Sequence, residues 1–211
     1  MAETTEVSKV QAEQPTSPQQ EVAMDPVPIE QRTDVTAEEL EKTSLPYPAE
    51  LYNGKVVYKM ANPRHGMLQV KIGRLLDSYL DENPLGYAMT ETNFCLWPDR
   101  PRESRIPDLA FVKKERVPEE LERFPAMAPD LAIEIISPDD NFSAVMKKVD
   151  EYLEQGTQVV WLVISDTREI LVCSREHKFS VRDILTAPEL LPGFELDVVK
   201  LFDSLPQPSP A

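Results

Sequence analysis

The chain has 211 residues, 41% of them hydrophobic and 28% charged, with a formal net charge of -15. That suits one globular domain with a sizeable core and a tail, and the acidity argues against avid non-specific binding to a polyanion. Six scattered glycines allow neither a dinucleotide fingerprint nor a phosphate loop, and two histidines with two cysteines match no standard zinc finger.

Cys95 and Cys173 read as reduced thiols in a cytoplasmic protein. The acidic start Met1-Ala2-Glu3 lacks the apolar core of a signal peptide, and the longest apolar run, 159–164, is too short to span a bilayer. No membrane association is expected.

Residues 1–35 are rich in Gln, Pro, Thr, Ser and Glu, which predicts a disordered acidic tail that cannot bury enough surface to order itself. The domain is expected over 36–205. Thr36 and Glu39 form a capping-box pattern that opens a short helix to about Thr43. Asn53-Gly54, between Glu50 and Met60, is a strong hairpin signal. Leu68, Ile72, Leu75, Leu76 and Tyr79 recur at helical spacing and predict a helix over about 66–82. Strands are expected over Tyr87–Leu96, Ile106–Val112 and Leu131–Ile136, with a helical turn near Pro118–Leu121. A helix from about Asn141 to Gln155 ends at Gly156. The wholly apolar run 159–164 reads as a buried central strand, followed by a hairpin into 169–174. Phe179–Val181 adds an edge strand, and Leu191–Phe194 and Leu201-Phe202 dock the C-terminus. The fold class is α/β, a mixed β-sheet flanked by helices.

Two short apolar runs each hold a carboxylate, Asp108 and Glu134, where a core residue is expected. A buried charge is normally paired, metal-bound or turned to a cleft. Alternation puts Asp130, Ala132, Glu134 and Ile136 on one face, with Leu131, Ile133 and Ile135 on the other. Asp108 shares its face with Ala110. If the two strands pair, both carboxylates converge on one ion, and oxygen ligands of this kind suit Mg2+ or Mn2+. Asp130 reads as a turn residue. On the helical wheel Phe142, Val145, Val149, Tyr152 and Leu153 form the buried face. Lys147 lies roughly 160° from its centre and Lys148 roughly 100°, so Lys148 flanks the core and reaches back toward the strand end. Beside such an ion a lysine orients water or stabilises developing phosphorane charge. Arg102 and Arg105, in the charged loop before Asp108, are the expected phosphate contacts.

The segments Glu50–Gly54, Pro63-Arg64-His65, Ile106-Pro107-Asp108, Glu134–Pro138, Lys148–Tyr152 and Val160–Val163 together resemble the Uma-two restriction endonuclease family, common in cyanobacteria, within the PD-(D/E)XK nuclease superfamily. The resemblance covers about 36–202. It implies a restriction-endonuclease-like core and Mg2+-dependent hydrolysis of DNA. It also implies Asp108 and Glu134 as metal ligands, Glu50 as a first acidic position, and His65 near phosphate or water. The superfamily lysine two residues after the Glu is absent, since Ile136 stands there, and Lys148 matches a lysine moved to the next helix. A homodimer would suit cleavage of both strands. The alternative is a catalytically silent nuclease-fold module for protein interaction.

Overall fold

The computed structural model describes residues 27–206. The part of the expected tail in residues 1–26 lies outside that range. Residues 27–35, also assigned to the tail, are structured. Ile29–Gln31 form a 3-10 turn, Arg32 pairs with Asp34 and Glu39, and Val35 is fully buried. One valine in a polar segment is too weak a local signal to reveal this packing.

Helix α1 (Ala37–Lys42) starts as its sequence requires, with the Thr36 hydroxyl accepting the Glu39 N–H at 3.2 Å. Strands β1 (Ala49–Tyr52) and β2 (Lys55–Tyr58) form a hairpin whose turn residues Asn53 and Gly54 both have positive φ. This ribbon stands apart from the main sheet, joined to the loop before Asp108 by a bridge between Leu51 and Ser104. Helix α2 (Pro63–Glu82) begins three residues before the expected start. Its signal is Asn62-Pro63, an N-cap followed by proline at the first helical position.

The main sheet has six strands, β3 (Gly86–Thr90), β4 (Leu109–Lys113), β5 (Leu131–Ile136), β6 (Val159–Ile164), β7 (Glu169–Cys173) and β8 (Lys178–Val181), in that order. Only the β5–β6 pair is parallel, so the sheet is mixed. The crossover between them is α3 (Phe142–Glu154), capped by the Asn141 side chain. β3 is shorter than expected because Glu91, at φ 48, breaks it; Phe94 and Arg105 make only an isolated bridge. The helical turn expected near Pro118–Leu121 does not form, a plain turn at Leu121 and Glu122 standing there, and a 3-10 turn forms earlier, at Lys114–Arg116. Near the C-terminus β9 (Ile184–Ala187) and β10 (Leu191–Asp197) make a small second sheet before α4 (Val198–Asp203).

Alternation along the strands sorts the core into two layers. Leu109, Phe111, Leu131, Ile133 and Ile135 pack with α2, β10 and α4. Ala110, Val112, Ala132 and Ile136 pack with Val149, Tyr152 and Leu153 of α3. On α3 the expected face holds except for Phe142, which is half exposed at the first turn. No described helix is long and apolar enough to cross a membrane.

Gly86 marks the closest backbone approach. A Cβ there would collide with the Val112 carbonyl, with Phe111 Cε2 at 2.7 Å and with Lys113 Cα at 2.9 Å. Backbone cannot yield as a side-chain tip can. Gly86→Ala is expected to destabilise the protein by about 2–4 kcal/mol in urea unfolding.

Candidate active site

Six ionisable side chains from five parts of the fold meet at one end of the sheet. Glu50 comes from β1, and Lys59 follows β2. His65 sits in the first turn of α2, where Asn62 Oδ1 accepts its N–H at 3.0 Å. Asp108 leads into β4, Glu134 lies in β5, and Lys148 lies in α3. Glu134 reaches this cluster because it alternates with Ile133 and Ile135, which face the other layer, and because the neighbouring Ala132 leaves room.

The contacts divide the oxygens clearly. Asp108 Oδ2 accepts the Ile135 N–H at 2.6 Å. Asp108 Oδ1 accepts from Lys59 Nζ at 2.6 Å and lies 3.2 Å from His65 Nε2. Glu134 Oε1 is 2.9 Å from Lys148 Nζ and accepts the Tyr152 hydroxyl at 3.0 Å, while Oε2 is 3.5 Å from Lys59 Nζ. Glu50 Oε1 accepts from Lys148 Nζ and from the Ile106 N–H, and Glu50 Oε2 accepts the Tyr52 hydroxyl. Both lysines also donate to the Ile106 carbonyl. All of the cluster but Glu50 lines a cleft of about 520 Å³ whose rim includes Tyr58, Asn62, Ser137 and Asp139.

Burial dominates the electrostatics, and partners decide its outcome. Burial alone would raise the Asp108 carboxyl; the His65 hydrogen bond and the Lys59 charge outweigh it and hold the group well below the usual carboxylate range. Glu50 is also lowered, since Lys148 and Lys59 overcome its burial. Glu134 goes the other way: burial pushes it up, and the two lysines only hold it back. Burial opposes the Lys148 charge, but Glu134 and Glu50 raise its pKa.

Residues 37–199 match the Uma2 family, described as "Putative restriction endonuclease". This chain belongs to the Uma2 family. Among solved structures it is similar to one described as a putative nuclease of DUF820 from Anabaena variabilis ATCC 29413. That structure is 25% identical, with a TM-score of 0.66, over 80% of this chain and 98% of the other. No curated protein matches.

Of the residues expected at this Uma2 site, Asp108, Glu134, Lys148, Glu50 and His65 lie together. Arg105 does not join them and is corrected to a buried brace. It is 2% exposed, paired with Glu151 and Glu103, and held over the rings of Tyr52 and Trp97. Arg102 is exposed beside the β1–β2 turn and does not line the cleft. Asp130 is buried 17 residues from Lys113, whose N–H it accepts, and pairs with Arg116, away from the cluster. Two contributors went unforeseen, Lys59 and Tyr152. Tyr152 carried a signal: it stands four residues after Lys148, on the same helical face. Lys59 carried none.

The donor set fits a hard divalent cation. Asp108 Oδ1 and Glu134 Oε2 converge on one point, which Lys59 Nζ fills. Among the described residues no three His, Cys, Asp or Glu side chains share a metal position. The protein's share would therefore be two carboxylates, Asp108 and Glu134, whose oxygens are of the kind that suits Mg2+ or Mn2+.

A pH dependence follows from the depressed Asp108 and Glu50. Each adds stability above its unfolded pKa of about 4 and loses it as pH falls toward the lower folded value. Glu134, raised, adds stability at low pH and loses it as pH rises through its folded value. Two against one, urea-unfolding stability is expected to fall between about pH 5 and pH 2, and Asp108→Asn to flatten that limb.

Proposed function

We propose that this protein is a metal-dependent endonuclease that hydrolyses DNA phosphodiester bonds, with Asp108 and Glu134 as the ligands of Mg2+ or Mn2+. The observation that carries this is the convergence of two buried carboxylates and two lysines on one open cleft, in a chain of a nuclease family. A bound ion would polarise the phosphoryl group and lower the pKa of an attacking water. Lys148, fixed by Glu50 and by Glu134 Oε1, holds a positive charge beside that position, suited to developing phosphorane charge. Glu50 acts through Lys148 by fixing its ammonium. Tyr152 holds Glu134 in place through its hydroxyl. His65 stands where it can donate to a phosphate or water near Asp108. A neighbouring cleft of about 340 Å³ shares Asn62, His65 and Ser137 and adds Arg64 and Arg168, which we assign to the phosphate backbone in place of Arg102 and Arg105.

The test is incubation of the purified full chain with supercoiled, branched and single-stranded DNA in Mg2+ or Mn2+. Nicking that EDTA abolishes and added Mg2+ restores is the expected result. No cleavage of any substrate, together with no Mn2+ binding that Asp108→Ala removes, would defeat the proposal. It would favour a silent module in which the lysines neutralise the carboxylates permanently.

A further inference from the structure

Each candidate ligand has one oxygen committed to the fold and one turned toward Lys59; on that side Asp108 Oδ1 also lies 3.2 Å from His65 Nε2. Asp108 Oδ2 is taken by the Ile135 N–H, and Glu134 Oε1 by Lys148 and Tyr152. The remaining oxygens, Asp108 Oδ1 and Glu134 Oε2, both face Lys59 Nζ, at 2.6 and 3.5 Å, and the Ile106 carbonyl lies 2.8 Å from the same atom. Three oxygens thus surround one monovalent cation at the point where a divalent one would bind.

We infer that Lys59 is an internal stand-in for the metal: it holds the Asp108–Glu134 position in the metal-free protein, is displaced when the ion enters, and then lies in the cleft as a cation for the substrate phosphate. This rests on the metal-dependent reading above. Mg2+ binds oxygen at about 2.0–2.1 Å, so ion and ammonium cannot share Asp108 Oδ1 and Glu134 Oε2. Lys59 is free to leave. It follows the last residue of β2, its flexible stem is one fifth exposed, and Met60 and Ala61 beside it are exposed. Lys148 is not equivalent, because α3 packs it beside the buried Val149 and Tyr152.

Charge gives the exchange a purpose. Leaving His65 aside, Asp108, Glu134 and Glu50 against Lys59 and Lys148 leave the metal-free cluster with one net negative charge, which repels a phosphodiester. A divalent ion reverses that to one net positive charge, with Lys59 still nearby. Metal is then bound before substrate, and the site attracts DNA only once loaded.

Lysine acetylation of the wild-type protein, read by peptide mass spectrometry with and without Mn2+ at constant ionic strength, tests the displacement directly. Lys59 labelling should rise by about three-fold or more at saturating Mn2+, while Lys147 stays constant. Lys59 labelling that stays level or falls, with Mn2+ bound by calorimetry, would overturn the inference and leave the metal-dependent reading intact. In calorimetry Lys59→Met should bind Mn2+ at least about ten-fold tighter, and Lys147→Met, which removes an exposed charge, should stay within about two-fold. Equal affinities of Lys59→Met and wild type would also overturn it. If neither protein takes up Mn2+, the metal-dependent reading itself fails and this inference with it.

Discussion

Glu134→Gln should lower DNA cleavage by about 1,000-fold while leaving the protein as stable as before, within about 1 kcal/mol. The loss would follow from removing one of the two proposed metal ligands and one of the two carboxylates that fix Lys148. The stability argument is independent. Burial already pushes the Glu134 carboxyl up, so its ionised form is held at a cost, and a neutral isostere relieves it. No ammonium is orphaned: Lys148 keeps Glu50, and Lys59 keeps Asp108. Asp108→Asn is the less clean probe, because Asp108 also accepts the Ile135 N–H and stabilises the fold through its depressed pKa. Plasmid nicking rates and urea midpoints on the same preparation separate the two effects. A Glu134→Gln protein that still cleaves within about ten-fold of wild type would remove Glu134 from the site.

Arg105→Ala should destabilise the fold by about 3–5 kcal/mol, the largest stability loss expected among the charged residues. Its guanidinium is 3.7 Å from the Tyr52 ring centroid and 4.9 Å from that of Trp97. Its Nε donates to Glu151 at 2.7 Å, and its Nη1 donates to the Leu51 carbonyl at 2.6 Å. Truncation leaves Glu151 and a buried carbonyl without that partner. Lysine would not rescue it, since an ammonium lacks the planar fork that makes these contacts together. Arg102→Ala, three residues earlier but exposed, should change stability by less than about 0.5 kcal/mol. Urea unfolding measures both. A folded Arg105→Lys protein that binds DNA more weakly without losing stability would return Arg105 to the substrate surface.

What the sequence disclosed about this site depended on range. Strand alternation and the helical wheel are local properties, so the faces of β5 and α3, the convergence of Glu134 and Lys148, and the exposure of Lys147 could all be read in advance. Lys59 could not. It pairs with a residue 49 positions away, and nothing near it separates it from an ordinary hairpin lysine. Arg105 was misjudged because Arg100 and Arg102 beside it are exposed, and a polar loop gives no sign that one member is clamped between rings from β1 and residue 97. The second small sheet of β9 and β10 was hidden in the same way, because a bulge between Leu191 and Glu195 interrupts its alternation.

The β1–β2 ribbon carries two members of the cluster, Glu50 and Lys59, of opposite sign. Asp108, Glu134 and Lys148, on the main sheet and α3, sum to the same single negative charge as all five together. A ribbon that lifted away would leave that total unchanged, yet it would part the buried Asp108 from Lys59 and Lys148 from Glu50. Leu51, bridged to Ser104 and clamped through its carbonyl by Arg105, is fully buried, so the ribbon is a fixed wall of the cleft, and the cluster keeps its pairing only while that wall stays docked.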